Sequence, residues 1–427
     1  MLDIKLLRKD AKALEAKLQT KDPTVKLAPI LELDEKIRLV ITEGEQLQAR
    51  RNALSKEIGE KKRKGEDVSA VMQEVAGLGD KVAALNHERT QLEAQLLYLL
   101  AMLPNLPSDE AKVSPDPKDN VCLKTWGQKR EFDFPFKNHV ELGEQLKLFD
   151  FKRSAKTSGS GWPAYCGMGA RLEWALLNYM IDIHIENGFE MWIPPLLVRP
   201  EIAYGASYLP KSEWQMFKLR DDDFNLYLIP TAEAILNGLH YDEIFSAEEL
   251  PKKYMAYTPC FRREAGAAGS QERGLIRMHQ FNKVEMFAFT RPEQSQEMFE
   301  EMLASAEEIL EGLNIHYRSM MLVTGDMSFA AQKTVDVEVW LPGQNRYYEV
   351  SSISLCGDFQ SRRSQTRFRE KEEKPQFVHT LNGSGVATSR LMVALLENNQ
   401  RRDGTVELPL VLHKYLGGVK EICLPTS

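Results

Sequence analysis

The segment Phe261–Glu285, FRREAGAAGSQERGLIRMHQFNKVE, combines residue types that can bind a charged, partly aromatic ligand. Two arginines and a glutamate end an apolar stretch and are followed by a Gly/Ala-rich loop. Arg277, Phe281 and Glu285 then recur at intervals of four in an alternating pattern. Because side chains of a strand alternate between its faces, we predict that these three share one face. That face presents a cation, an aromatic ring and a carboxylate, which suit an anion, a flat base, and an amine or hydroxyl.

Three other segments carry groups that can complete a site with this one. They are Thr231-Ala232-Glu233, Glu349-Val350-Ser351-Ser352 on a predicted hairpin strand, and NGSGVATSR, which starts at Asn382 and places Arg390 in the first turns of a helix. Each has an ordinary structural explanation when taken alone, such as an ion pair, a core aromatic or a helix cap. Their joint occurrence in this order favours a site. The sequence contains no G-x-x-x-x-G-K-[ST] loop, which disfavours a P-loop enzyme.

The elements that position these groups are predicted from hydrophobic periodicity. We expect helices at Met168–Asn187, Gln296–Leu313 and Val386–Glu397, the last directly after Asn382–Gly385. We expect strands at Leu226–Ile229, Met255–Phe261, Arg277–Phe289, Val335–Leu341 and Tyr347–Ser354. FEMWIPPLLV is predicted to be an extended edge or interface segment because it contains Pro194 and Pro195. Strands in hairpin order with flanking helices indicate an α+β fold with an antiparallel sheet.

The first hundred residues carry two heptad seams that predict a long antiparallel helical hairpin. The seams contain Leu33, Ile37, Val40, Leu47, Leu54 and Ile58, then Val75, Leu78, Val82, Leu85, Arg89, Leu92, Leu96, Leu99 and Leu103. Such heptads also suit an oligomerisation coiled coil. The turn between the seams is basic, which suits either a solvated face or contact with a phosphate backbone, through Lys56, Lys61, Lys62, Arg63 and Lys64. We therefore expect a helical arm at 1–103, a proline-rich linker at 104–125 and a globular domain at 126–427.

Composition limits the class of protein. A chain of 427 residues with 27% charged residues is typical of a globular protein of two or three domains. The net charge of −7 argues against wholesale polyanion binding but permits local RNA contacts. The five scattered cysteines form no C-x-x-C pair, so we expect neither a disulfide framework nor structural zinc. Without a signal sequence or a run of roughly 20 apolar residues, we expect a cytoplasmic protein without a membrane partner.

The sequence resembles the class II aminoacyl-tRNA synthetases and, among them, the seryl branch. GFEMWIPPLLV resembles motif 1 of that family, with Pro195 at its interface proline. FRREAGAAG…RGLIRMHQFNKVEMF resembles motif 2, and NGSGVATSRLMVALLENNQ resembles motif 3. The helical arm followed by PNLP, and the later TGDM and DFQSRR, are similar to the seryl branch. The resemblance covers essentially the whole chain.

The resemblance implies ATP-dependent activation of L-serine and transfer of the seryl group to tRNA. Arg262, Glu349 and Arg390 are implied as catalytic residues. ATP contacts are implied for Arg262, Arg263, Glu264, Arg277, Met278, Phe281, Glu349, Val350, Ser351, Ser352 and Arg390. Serine contacts are implied for Thr231, Ala232, Glu233, Arg262, Glu285 and Ser384. Glu349 and Ser352 are implied as Mg²⁺ ligands, since both supply hard oxygens.

The resemblance also implies a homodimer whose arm binds tRNA-Ser, and it suggests tRNA-Sec as a second substrate. Two other functions are open from the sequence. A related ligase could load an amino acid onto a carrier protein, but such relatives lack the arm and use zinc, which we do not expect here. A catalytically inactive RNA-binding relative is the other, although Arg262, Glu349 and Arg390 argue against it.

Overall fold

The computed structural model describes residues 1–264 and 274–425, which form two compact units. One unit comprises Leu2–Leu103, and the other comprises Pro104–Ser427 together with Met1. Within the described residues, no helix is long and apolar enough to cross a membrane.

The smaller unit is dominated by a helical hairpin, as predicted. Its helices are α1 (Ile4–Lys9), α2 (Ala11–Gln19), α3 (Ala28–Lys64) and α4 (Ser69–Ala101). The seam positions of α3 and α4 are buried or half-buried, apart from the exposed Arg89, because they face the partner helix. Gly65 ends α3 with a φ of +73°, a conformation that glycine adopts without steric cost. The two short helices that precede the hairpin were not predicted.

The larger unit mixes helices and strands. Its helices are α5 (His139–Gln145), α6 (Phe151–Ser158), α7 (Gly167–Glu186), α8 (Pro200–Gly205), α9 (Glu233–Gly238), α10 (Ser295–Gly312), α11 (Ser361–Ser364) and α12 (Thr388–Asn398). Its strands are β1 (Val121–Trp126), β2 (Glu190–Trp192), β3 (Leu197–Val198), β4 (Tyr227–Leu228), β5 (Ile244–Ser246), β6 (Lys252–Phe261), β7 (Gln280–Thr290), β8 (Tyr317–Met321), β9 (Lys333–Leu341), β10 (Arg346–Gly357), β11 (Arg367–Arg369), β12 (Gln376–Phe377), β13 (His379–Ala387), β14 (Val406–Glu407) and β15 (Glu421–Ile422).

Eight of the described strands form one sheet in the order β1-β8-β9-β10-β13-β7-β6-β2. All neighbours in it are antiparallel except β2 and β6, which are parallel at the edge. The α+β prediction is therefore confirmed. The central strands β10, β13, β7 and β6 are the ones whose residues the sequence singled out, so the sheet brings together segments that are far apart in the chain.

The main core lies between this sheet and α7, α10 and α12. Leu176 of α7, Met302 of α10 and Leu391 of α12 are fully buried in the same cluster as Val284 and Met286 of β7. Burial of such side chains contributes roughly 1.5–3 kcal/mol each. Because residues alternate along β7, packing these two against the helices turns the intervening side chains toward the opposite face of the sheet.

Two sequence predictions near the site are wrong in detail. Strand β7 begins at Gln280, so Arg277 precedes the strand and does not share its pleat with Phe281 and Glu285. Helix α12, which was predicted from Val386, begins at Thr388 because residues 382–387 belong to β13. The cause is pairing on both sides, because β13 lies between β10 and β7, and this tertiary pairing overrides the weak strand propensity of Asn and Gly.

Candidate active site

Two adjoining cavities of about 240 and 250 Å³ open on the face of the sheet that lies away from the core helices. Arg262, Lys283, Glu349 and Ser384 line both of them. The four residues come from the end of β6, from β7, from β10 and from β13, which are neighbours in the sheet or nearly so. These residues therefore form a boundary that a ligand in either cavity can reach. We call the cavity lined by Phe281 the first cavity and the cavity lined by Glu233 the second cavity.

The first cavity contains most of the residues implied for ATP. Its lining includes Arg262, Glu264, Arg277, Met278, Phe281, Glu349 and Arg390. Phe281 offers a half-buried ring, and the three arginines offer positive charge around it. Arg263, Val350 and Ser351 lie outside the described lining. Val350 is buried in the core, and the Ser351 hydroxyl donates a hydrogen bond to the carbonyl of Ser384.

Arg262 is fixed where the two cavities meet. Its Nε donates to the carbonyl oxygen of Pro230 at 3.2 Å, and its guanidinium carbon lies 5.1 Å from the centre of the Phe281 ring. Its backbone N–H donates to the carbonyl of His279 at 2.9 Å, which joins the two ends of motif 2. Because the hydrogen bond to Pro230 uses Nε, the terminal amino groups of the guanidinium can bind an anion. A planar guanidinium held in this way suits a carboxylate or a phosphate.

The other two arginines of the first cavity are also oriented by the protein. Arg277 Nε donates to Glu264 Oε2 at 2.6 Å. Arg390 Nη1 donates to the carbonyl oxygen of Glu349 at 2.7 Å and lies 3.6 Å from Glu349 Oε2. Arg390 is the third residue of α12, so it lies in the first turn of a helix as predicted, and its helix places it beside β10. Arginine side chains held in advance lose less conformational entropy when an anion binds.

The second cavity is centred on the buried carboxylate of Glu233. It accepts hydrogen bonds from Tyr208 Oη at 2.7 Å, from Gln360 Nε2 at 2.6 Å and from Asn382 Nδ2 at 3.1 Å. Burial and the nearby charge of Glu285 raise the pKa of Glu233 above its usual value. A cationic ligand in this cavity would offset both effects. The cavity thus favours an ammonium group.

Thr231 lies beside Glu233, and its hydroxyl oxygen accepts the backbone N–H of Glu233 at 3.3 Å. Ala232, by contrast, is fully buried in the small apolar cluster beneath α9 and does not line either described cavity. Sequence reasoning missed Tyr208, Gln360 and Asn382. Tyr208 lies outside the segments that the sequence singled out. Gln360 belongs to the DFQSRR segment and Asn382 begins the NGSG stretch, so both polar side chains were usable signals.

Glu285 and Ser384 face each other across β7 and β13 in register. Lys283, two residues before Glu285, forms a buried ion pair with its carboxylate, and Lys283 Nζ lies 3.5 Å from Ser384 Oγ. The sequence analysis did not single out Lys283. Alternation along a strand places residue 283 on the same face as Phe281 and Glu285. The sequence therefore contained enough information to include Lys283 in the site.

The oxygens needed for a divalent cation are present where the two cavities meet. Glu349 and Ser352 line the second cavity, and the Ser352 hydroxyl is hydrogen-bonded to the carboxylate of Asp336, which lies opposite it on β9. The interaction with Asp336 fixes the position of the Ser352 oxygen. In the described ranges 1–264 and 274–425, no group of three or more His, Cys, Asp or Glu side chains could hold a metal ion. The residues thus fit an ion that takes its remaining ligands from a bound phosphate or water.

Comparison with known proteins agrees with both units of the structure. Residues 1–107 match the family described as the seryl-tRNA synthetase N-terminal domain. Residues 217–399 match the tRNA synthetase class II core domain (G, H, P, S and T). The serine--tRNA ligases of Chlamydia abortus and Chlamydia felis are 54% and 52% identical to the chain, and the alignments cover 100% and 98% of both partners.

Solved structures give the same result. The seryl-tRNA synthetase of Pyrococcus horikoshii complexed with ATP superposes with a TM-score of 0.94 at 38% identity, covering 100% of both chains. The cytoplasmic serine-tRNA ligase of Naegleria fowleri in complex with AMP gives a TM-score of 0.88 at 27% identity, covering 100% of this chain and 99% of that one. The chain therefore belongs to the seryl-tRNA synthetase family of class II aminoacyl-tRNA synthetases.

Proposed function

We propose that the chain is a serine--tRNA ligase that joins L-serine and ATP into seryl-adenylate and then transfers the seryl group to tRNA. The observation that carries this proposal is the pair of joined cavities, one suited to a nucleotide and the other to a small ammonium compound, with Arg262 lining both. ATP–pyrophosphate exchange with each of the twenty amino acids tests it. We expect rapid exchange with serine alone, whereas exchange that prefers another amino acid, or none at all, would contradict the proposal.

Adenylate formation needs positioning and charge stabilisation more than proton transfer. The serine carboxylate is already ionised and attacks the α-phosphorus, so negative charge develops on the equatorial phosphate oxygens. Arg262 bridges the carboxylate and the α-phosphate because it lines both cavities. Phe281 stacks with adenine, Arg277 supports the base, and Arg390 holds the γ-phosphate. Pyrophosphate then leaves from the Arg390 end of the first cavity.

Glu349 and Ser352 are proposed to hold Mg²⁺ together with the phosphates of ATP. The ion supplies charge neutralisation for the phosphates when it is bound. The protein contributes the two oxygen ligands and orients them, through Asp336 for the Ser352 hydroxyl and through Arg390 beside the Glu349 carboxylate. Glu264 and Met278, which line the first cavity, complete the proposed nucleotide contacts.

Serine recognition is assigned to the second cavity. The ammonium group pairs with Glu233 and Thr231, and the hydroxyl bonds to Glu285 and Ser384. Alanine is rejected because it lacks the hydroxyl that Glu285 and Ser384 are proposed to bind, and a site built around a substrate hydroxyl can discriminate by about 10⁴–10⁵. Threonine differs from serine by one methyl group, and its rejection is assigned to steric closure around the serine side chain.

The unit Leu2–Leu103 is proposed as the tRNA-binding arm, followed by a linker to residue 125 and a catalytic domain from 126. The end of α3 carries exposed Lys62, Arg63 and Lys64 beside Lys61 and Lys56, which can follow the phosphates of tRNA-Ser and also of tRNA-Sec. We expect K62E/R63E/K64E to raise KM for tRNA at least about tenfold and to leave serine-dependent pyrophosphate exchange unchanged.

The matched control is K5E/K9E/K12E, which reverses three exposed lysines of α1 and α2 in the same unit. The KM of this control for tRNA should stay within about twofold of the wild-type value. An unchanged KM for tRNA in the K62E/R63E/K64E protein would refute the role assigned to the tip of the hairpin.

A homodimer is proposed from the edge of the sheet. Strand β2 pairs only with β6 among the described strands, and apolar side chains are exposed along this edge, with Met191 38% and Ile193 80% accessible. An unpaired edge with exposed apolar residues is a natural site for self-association. Sedimentation equilibrium at working concentration should give twice the mass of the 48.7 kDa chain. A fully active monomer would overturn the proposal.

A further inference from the structure

His139 is a completely buried histidine that lies outside the described lining of both cavities. It is the first residue of α5, and its side chain contacts two segments that are far away in sequence. His139 Nδ1 lies 3.0 Å from Glu397 Oε1, and its Nε2 lies 3.3 Å from the backbone nitrogen of Leu275. The role assigned to it below rests on the proposed function.

The partners of the ring determine its protonation pattern. The N–H of Leu275 is a donor, so Nε2 must accept and carries no proton. The proton of the neutral ring is then on Nδ1 and is donated to Glu397 Oε1. The backbone N–H of His139 also donates to Glu397 Oε1 at 2.9 Å, and the N–H of Gly343 donates to Glu397 Oε2 at 2.9 Å. The ring thus connects Glu397 to Leu275 with every hydrogen bond satisfied.

Both ends of this connection belong to the nucleotide half of the site. Leu275 is two residues before Arg277 and three before Met278, which line the first cavity. Glu397 lies on α12 with Arg390, whose Nε approaches the carbonyl oxygen of Ile276 at 3.5 Å. Consequently α12 holds the segment 275–276 twice, directly through Arg390 and indirectly through His139.

Close packing at Gly274 also indicates that His139 supports the segment that leads into the first cavity. Gly274 has a φ of +72°, and a Cβ atom built there would lie 2.3 Å from His139 Nε2. No L side chain is accommodated without moving the imidazole. The chain therefore brings its backbone directly against His139 at the point where motif 2 returns toward the first cavity.

We propose that His139 is a positioning residue for ATP, which fixes Arg277 and Met278 against the first cavity by accepting the Leu275 N–H while Glu397 orients its ring. It contacts neither substrate. A misplacement of about 1 Å in such a segment can cost about 10²-fold in rate, so the effect on the reaction is measurable.

Two substitutions separate this role from that of an ordinary core histidine. In H139N the amide can donate to Glu397 but does not reach Leu275. In H139Q the side-chain carbonyl can reach Leu275 but the donor to Glu397 is displaced. We expect H139N to raise KM for ATP about tenfold in pyrophosphate exchange, H139Q to recover most of that loss, and KM for serine to stay within about twofold in both. The control is H413Q, because His413 is a half-buried histidine elsewhere in the chain.

Equal losses in H139N and H139Q, or unchanged KM for ATP in a folded H139N, would overturn the proposal. The proposed function is tested separately. It stands if the wild-type protein exchanges pyrophosphate with serine, whatever the two His139 variants do. If H139N does not fold, hydrogen exchange in the wild-type protein decides. The Leu275 amide should then exchange as slowly as the amides of β7, and exchange at the rate of an exposed loop would overturn the assignment.

Discussion

Replacing Arg262 by alanine is expected to lower kcat/KM for seryl-adenylate formation by roughly 30- to 1,000-fold, or about 2–4 kcal/mol of transition-state stabilisation. Arg262 lines both cavities, and its guanidinium is already oriented by Pro230 and Phe281. The positive charge therefore lies where charge develops on the α-phosphate and costs little reorganisation. Pyrophosphate exchange with saturating and limiting serine and ATP measures the loss.

The fold should survive this substitution because Arg262 is half-buried and its side chain contacts a backbone carbonyl and one ring. R153A is the matched control, since Arg153 is exposed and pairs with Asp150 on the surface of α6. It should keep wild-type kinetics. Normal adenylation by a folded R262A protein would refute the role given to this arginine.

Replacing Glu233 by glutamine is expected to raise KM for serine by about 100-fold or more while KM for ATP stays within about twofold. Glutamine keeps the size of the side chain, and a carbonyl at the Oε1 position can still accept hydrogen bonds from Gln360 and Asn382 while its amide faces the Tyr208 hydroxyl. The substitution removes the negative charge. A buried charge pair with an ammonium group is strongly favourable when it is made and costly when one partner is missing. E372Q, at an exposed position, serves as the control.

The pH dependence of serine use should depend on the same carboxylate. Burial and Glu285 raise the pKa of Glu233, so its charged form is lost at a higher pH than that of an ordinary glutamate. Since the ammonium group needs the charged form, kcat/KM for serine should fall as the pH is lowered through this raised pKa. E233Q should lose that dependence. A pH profile identical to wild type in E233Q would assign the titration to another group.

The sequence was sufficient to predict the structure where a local pattern and the tertiary contacts favour the same element. The seams of α3 and α4 predicted the hairpin because helix periodicity alone decides which side chains face the partner helix. Helix α7 was predicted within a residue at each end, since Gly188 stops it at a φ of +81°. Phe281 and Glu285 were assigned to one face of a strand, and they do line adjoining cavities.

The sequence did not predict the structure where contacts between distant segments determine it. The helix after Asn382–Gly385 was predicted to begin at Val386, but pairing with β10 and β7 keeps residues 379–387 in a central strand, and the helix begins at Thr388. Val386 in that strand has a φ of +80°, beside the register shift that separates Ser384 from Ala387. A β-branched residue rarely adopts this conformation, so neighbouring packing must impose it. Tyr208 contacts Glu233 only through the fold, and no local pattern marks it. Gln360 lies in the quoted DFQSRR segment, but its contact with Glu233 also depends on the fold.

The most direct test of the site is a crystal structure with a non-hydrolysable seryl-adenylate analogue. We predict the adenine ring against Phe281 in the first cavity, the phosphate substitute within hydrogen-bond distance of Arg262, and the ammonium group at Glu233 in the second cavity. The serine hydroxyl should contact Glu285 and Ser384. An analogue bound in the reverse orientation, or one that leaves Arg262 or Glu233 without contact, would contradict the division of the site into a nucleotide half and a serine half.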